Sequence, residues 1–137
     1  MTRSRIEILD GLPPVEDYLR LREAVGWSTC GFHVAEQALA ASLLGVYATK
    51  DGEIVGAGRI IGDGVMYAYV QDLMIHPHYQ GAGIGSRLLD RLRRSLTTSG
   101  YGRTLLLVAS DEVRGFYEKH GFNVMNDRVL SAKSLIQ

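Results

Sequence analysis

Gly81, Gly83 and Gly85 stand at alternate positions between an apolar run ending in Ile75-His76-Pro77 and a segment with helical periodicity. Without Cβ atoms, such residues let successive backbone N–H groups converge on one point. The helix that follows adds unpaired N–H groups and a partial positive charge, so a diphosphate is the natural guest. The other reading is a tight strand-to-helix turn with no ligand. Two phosphate motifs are set aside by spacing. A P-loop ends in Gly-Lys-Ser/Thr, whereas Gly85-Ser86-Arg87 lacks the lysine, and the dinucleotide fingerprint G-x-G-x-x-G has a different glycine register. Neither ATP nor a nicotinamide cofactor is expected. His76 and His78 are two apart in a loop with no third ligand nearby, so no metal is expected, and no motif marks Cys30 as a nucleophile.

The elements that must position this turn follow from periodicity. Ile6 to Leu9 reads as a strand closed by Asp10-Gly11, and Pro13-Pro14 opens a helix from Val15 to Val25. Gly26 to Phe32 is a loop, and the Ala- and Leu-rich stretch from Val34 to Leu44 predicts a second helix. Val46–Thr49, Ile54–Ile61 and Val65–Ile75 then form a three-strand meander, its first turn marked by Asp51-Gly52. Leu88, Leu89, Leu92 and Leu96 line one side of an amphipathic helix that Gly100 ends. Thr104–Ala109 has the composition of a strand buried on both faces, Ser110 or Asp111 opens a helix reaching His120, and Phe122–Met125 with Val129–Ile136 predict a final strand pair. A helix between two strands of one sheet requires a mixed sheet, so the fold class is α/β, in one domain over residues 1–137.

The bulk composition limits partners. Fifteen basic and fifteen acidic side chains cancel, leaving no global field to gather nucleic acid or an anionic membrane. No apolar run approaches the roughly 20 residues that span a bilayer. The single cysteine and the absence of a signal-peptide pattern at the start point to a reducing, cytoplasmic setting.

Gln80-Gly81-Ala82-Gly83-Ile84-Gly85 resembles the Q/R-x-x-G-x-G/A signature of the GNAT acetyltransferases. Phe116-Tyr117-Glu118-Lys119-His120-Gly121-Phe122 is similar to the family's F-Y-x-x-x-G-F element at the expected distance, and the element order agrees. The resemblance spans nearly the whole chain and implies the GNAT fold, a mixed sheet flanked by helices with a V-shaped cleft between Tyr67–Ile75 and Thr104–Ala109.

The same resemblance implies acetyl-CoA as cosubstrate. The backbone of Leu73, Met74 and Ile75 would pair with the pantetheine amides as an added strand would, and N–H groups from Gly81 through Ala82, Gly83, Ile84 and Gly85 to Ser86 would hold the pyrophosphate behind Gln80. A strand N–H near Met74 would polarise the thioester carbonyl. An alkylammonium acceptor must lose a proton, and Asp72 is the first candidate base, with Glu23 second and a structural carboxylate the alternative. Alternation puts Asp72 on the face of Val70 and Met74 unless a bulge intervenes. Tyr117 matches the tyrosine that protonates the departing thiolate, or it simply packs beside Phe116. Trp27, Arg59, Tyr67 and Tyr69 would line the acceptor side, with Arg59 either binding an acceptor anion or lying at an edge or on the surface. The expected activity is acetylation of a small-molecule primary amine, compatible with a homodimer. A non-catalytic acyl-CoA sensor, or acetylation of a protein or charged tRNA, is the alternative.

Overall fold

The computed structural model describes residues 5–101, 104–125 and 129–130. Its elements are β1 (Ile6–Asp10), α1 (Val15–Ala24), α2 (Phe32–Ala40), β2 (Leu44–Lys50), β3 (Glu53–Gly62), β4 (Tyr67–Ile75), a 3-10 turn (Pro77–Tyr79), α3 (Ile84–Ser99), β5 (Thr104–Leu107) and α4 (Asp111–Lys119). The chain divides into two compact units, Met1–Leu107 and Val108–Gln137. The first holds the sheet and α1 to α3; the second holds α4. Among the described residues, no helix is long and apolar enough to cross a membrane.

The sheet runs in chain order, β1-β2-β3-β4-β5, antiparallel up to β4 and parallel between β4 and β5. It is therefore mixed, as the intervening helix requires. Asp51 and Gly52 both have positive φ, 51° and 82°, the twist that a two-residue hairpin needs. At the next turn the Asp63 carboxylate accepts from the N–H groups of Val65, Met66 and Tyr67 at 2.8, 2.8 and 3.1 Å. That holds the first two in the turn, so β4 begins at Tyr67 rather than Val65.

Each face of the sheet has its own core. On one, Ile84, Leu88, Leu92 and Leu96 of α3 pack on Val46, Ala48, Val55, Ile60, Ala68 and Val70. On the other, Tyr18 and Leu21 of α1 and Ala35 and Leu39 of α2 pack on Ile54, Ala57 and Met74. Gly56 and Gly58 make room for α3: a Cβ at Gly56 would lie 3.2 Å from Leu88 Cδ1, and one at Gly58 would lie 3.0 Å from Leu92 Cδ1.

β4 does not alternate cleanly. Arg59 pairs with Asp72 but Ile60 pairs with Val70, which leaves Gln71 as an extra residue. Ala68 and Val70 accordingly face α3, whereas beyond Gln71 it is Leu73 and Ile75 that pack on that side and Asp72 and Met74 that turn to α1. Asp72 thus lies on the face opposite Val70, the exception to simple alternation.

Three further expectations change. The helix read as Val34–Leu44 spans Phe32–Ala40, because Leu43 donates its N–H to Ile60 O at 2.9 Å and Leu44 pairs with Ile60, which draws both into the sheet. β5 is shorter than Thr104–Ala109 and only half-buried, since among the described residues it has a strand on one side alone. Phe122–Met125 forms no strand, lacking a ladder partner among the described residues. Its expected partner, Val129–Ile136, lies outside the described residues beyond Leu130.

Leu88 sits fully buried at the centre of the α3 interface. Leu88→Ala should lower the unfolding free energy by about 2–5 kcal/mol in urea titration. A loss below about 1 kcal/mol would mean that α3 does not form this core.

Candidate functional site

The turn from β4 into α3 has the geometry of an anion seat. Gly81 and Gly83 hold φ of 84° and 80°, a left-handed conformation that other residues adopt at a cost of about 1–2 kcal/mol. Open space surrounds the position of a Cβ at either residue, with nothing within 4 Å. Gly83 caps α3 without a side-chain hydrogen bond, and the first turn of this 16-residue helix carries no acidic residue. Among the described residues no side chain caps its leading N–H groups, which leaves them attractive to an anion. Ile84 sends its side chain into the core, so only its backbone faces the turn. Ala82 is exposed and Ser86 half-exposed.

The approach to the turn is braced. Gln80 donates its side-chain amide to Ile75 O at 3.0 Å, and His76 Nδ1 accepts from His78 N–H at 3.1 Å. Lys50 Nζ lies 5.3 Å from the centre of the Tyr79 ring.

Beside the turn, β4 has an unpaired edge. Pairing with β5 runs from Tyr67↔Thr104 to Val70↔Leu107 and stops, leaving Gln71–Ile75 without a strand on that side among the described residues. The expected parting of the two strands is here. His76 donates to Val55 O at 2.8 Å, and alternation along the antiparallel ladder then directs the polar backbone groups of Met74 and Asp72 at β3. Leu73 and Ile75 direct theirs at the open edge, consistent with the Gln80 bond to Ile75 O. The expectation for Met74 is thereby corrected: of the three residues expected to offer backbone, only Leu73 and Ile75 have backbone groups directed away from β3, because Met74 is paired with Ala57.

On the α1 face, Asp72 is 1% exposed and carries the centre of a charged cluster. Its Oδ2 accepts from the Tyr18 hydroxyl at 2.5 Å and from Arg59 Nε at 2.7 Å, and its Oδ1 accepts from Arg22 NH1 at 3.3 Å. Arg59 also donates to Ser42 Oγ at 3.1 Å, and both guanidinium groups lie 5.8 Å from the Tyr18 ring centre. Burial, then the Asp72 hydrogen bond and charge, push the Tyr18 phenol above the usual tyrosine range. Burial works against the charge on Arg59, but its bond to Asp72 and the nearby carboxylate outweigh that and raise its pKa. Arg59 is not at an edge, since β3 is flanked by β2 and β4. Leu12, Pro13, Leu39, Ala57, Gly58 and Met74 close around the cluster and leave only a narrow crevice beside it.

Of the residues expected on the acceptor side, Arg59 joins Asp72 directly and Trp27 reaches the cluster through Arg22, whose guanidinium lies 5.6 Å from the Trp27 ring centre. Tyr67 is exposed and Tyr69 half-buried on β4, one residue out of step with Ala68 and Val70. Their phenols make no hydrogen bond or ring contact among the described residues. Glu23 is exposed. In the second unit, Tyr117 of α4 packs edge-on against Phe116 and Phe122, with ring centres 5.1 and 5.8 Å away, and burial raises its pKa above the usual range. Tyr117 therefore holds its proton at neutral pH.

Tyr18, Arg22 and Ser42 escaped sequence reasoning. One signal was present: Tyr18, Leu21, Arg22 and Val25 fall at i, i+3, i+4 and i+7, so Arg22 stands inside the buried stripe of α1. No group of three or more His, Cys, Asp or Glu side chains arranged to hold a metal occurs among the described residues.

Comparison with known proteins bears on this geometry. The family described as "Acetyltransferase (GNAT) domain" matches residues 26–135. An uncharacterised ycf52-like N-acetyltransferase of Prochlorococcus marinus is 36% identical over 109 residues, covering 77% of this chain and 60% of the relative. A chloroplastic serotonin N-acetyltransferase of Oryza sativa is 36% identical over 78 residues, covering 57% of this chain and 38% of the relative. This chain thus spans less than two thirds of either curated relative. Among solved structures, a GNAT-family acetyltransferase of Streptococcus pneumoniae superposes with a TM-score of 0.78 at 30% identity, over 95% of this chain and 100% of that one.

Removing the charge at the cluster's centre strands two arginines. Asp72→Asn should cost about 3–5 kcal/mol of unfolding free energy in urea, because breaking a buried ion pair leaves its partners uncompensated. A loss under about 1 kcal/mol would show that α1 is not held to the sheet by this charge.

Proposed function

This chain belongs to the GNAT acetyltransferase family, and we propose that it transfers an acetyl group from acetyl-CoA to the primary amine of a small molecule by direct attack in a ternary complex. One observation carries this reading: an unpaired strand edge at Leu73 and Ile75 runs into a glycine turn whose helix N-terminus has no cap of its own. An extended amide chain ending in a diphosphate complements both parts at once. Pantetheine joined to the pyrophosphate of coenzyme A is such a ligand. Leu73 and Ile75 would pair with its amides, the N–H groups of Gly83 to Ser86 would hold its phosphates, and the positive φ of Gly81 and Gly83 lets the backbone approach them.

Within this proposal the role of Asp72 shifts. Both of its oxygens already accept hydrogen bonds from Tyr18, Arg22 and Arg59, so it orders the acceptor side rather than taking the amine's proton. Tyr117, which matches the family's tyrosine and holds its proton at neutral pH, would give that proton to the coenzyme A thiolate as the C–S bond breaks. The ammonium acceptor gives one proton to solvent before it attacks; as the N–C bond forms and the C–S bond breaks its nitrogen loses a second, which returns through solvent to restore the Tyr117 phenol.

The test is acetyl-CoA-dependent thiol release with a panel of amines, including an arylalkylamine such as serotonin. Release that depends on an amine supports transfer, whereas tight acetyl-CoA binding with no amine-dependent release across the panel would favour a sensor. With an active amine, Tyr117→Phe should lower kcat and kcat/KM together by roughly 10-fold to 100-fold, near the lower end for a positioned general acid, and leave acetyl-CoA affinity unchanged. Full single-turnover activity in that variant would remove Tyr117 from the mechanism.

A further inference from the structure

Val25, the first residue of the segment joining α1 to α2, packs on the α1 core, but the six that follow, Gly26–Gly31, are all exposed, so no buried side chain anchors that loop. Its backbone holds to α1 through Gly26 N–H to Glu23 O at 3.0 Å and Trp27 N–H to Arg22 O at 2.9 Å. The side chain that grips it is Arg22. Nε and NH2 of Arg22 donate to Ser28 O at 2.9 and 2.7 Å, a fork on one carbonyl, while the guanidinium lies 5.6 Å from the Trp27 ring centre. Its third nitrogen, NH1, reaches the other way, to Asp72 Oδ1 and the Tyr18 hydroxyl, both at 3.3 Å.

One planar group therefore bridges the centre of β4 and a loop that is otherwise held to α1 by backbone hydrogen bonds at Gly26 and Trp27. The bridge is rigid where it matters. Asp72 is buried and held by Arg59 and Tyr18, and a guanidinium fork loses little freedom per hydrogen bond formed. We propose that Arg22 is a positioning residue that latches the Gly26–Gly31 loop to Asp72, and that the latched loop, bearing Trp27, sets the affinity for the acceptor amine. The second half rests on the acetyl-transfer reading above; the first half does not.

Trp27 is the chain's single tryptophan, so its emission reports the loop without any activity assay. Arg22→Ala and Arg22→Lys are measured beside the parent. The lysine variant keeps a cation facing Asp72 but lacks the fork that spans Asp72 and Ser28 O, so it guards against an alanine variant that fails to fold. Trp27 anisotropy should fall in both variants and its emission should move to longer wavelength, with acetyl-CoA affinity unchanged. With an active amine, acceptor KM should rise on the order of 10-fold while the KM for acetyl-CoA holds, since small misplacements of positioning groups cost up to about 100-fold. Unchanged Trp27 anisotropy in either folded variant would overturn the latch. Lower anisotropy with an unchanged acceptor KM would overturn the loop's role in acceptor affinity. Absence of transfer in the parent would instead defeat the acetyl-transfer reading and leave the anisotropy result standing.

Discussion

A carboxylate that is 1% exposed must be paired, because the effective cost of taking an ion out of water is several kcal/mol even after relaxation. Asp72 meets that demand with Arg59 from β3 and Tyr18 and Arg22 from α1. The requirement fixes the turn of α1 that faces the sheet, since Tyr18 and Arg22 lie one helical turn apart. It also makes Arg59 a partner in the protein's interior before it can be a partner for any ligand. Ser42, where α2 gives way to β2, is tied to the same guanidinium.

The cluster exists only because of the extra residue at Gln71. With unbroken alternation, Asp72 would follow Ala68 and Val70 onto the α3 face, among Leu88, Leu92 and Ile60, where no polar partner waits. The bulge turns it to α1 and turns Leu73 and Ile75 toward α3. Bulges also bend a strand and raise its twist. Here the pairing of β4 with β5 ends at Val70, directly before the bulge, and the unpaired edge begins with the bulge residue itself. One inserted residue thus accompanies two features: a buried carboxylate turned to α1 and a strand edge left unpaired among the described residues. In the β3–β4 ladder the change of register falls at the same place.

Much of this was legible in the sequence. The Asp51-Gly52 hairpin, the leucine stripe of α3 and the glycines at 81 and 83 are local signals, each set by the conformation of a few residues, and each stands where it was expected. The register of β4 was not legible, since no pattern in Val70-Gln71-Asp72 marks which residue is extra. With the register hidden, the facing of Asp72 and the backbone direction of Met74 were hidden too. Arg22 was visible only as a polar residue inside an apolar stripe, and its partners are 50 positions away in β4 and six positions away in a loop. The apolar run at Thr104 suggested burial on both faces, but hydrophobicity alone does not report how many neighbours a strand has in its sheet.

The central claim is that the backbone of Leu73 and Ile75, and not that of Met74, receives the extended arm of acetyl-CoA along the open edge of β4. Amide hydrogen exchange resolved to single residues, with and without saturating acetyl-CoA, tests it most directly. Exchange at Leu73 and Ile75 should slow on binding, together with the amides from Gly83 to Ser86, while Met74, already bonded into β3, should change little. Saturated binding with no added protection at Leu73 and Ile75 would contradict the account.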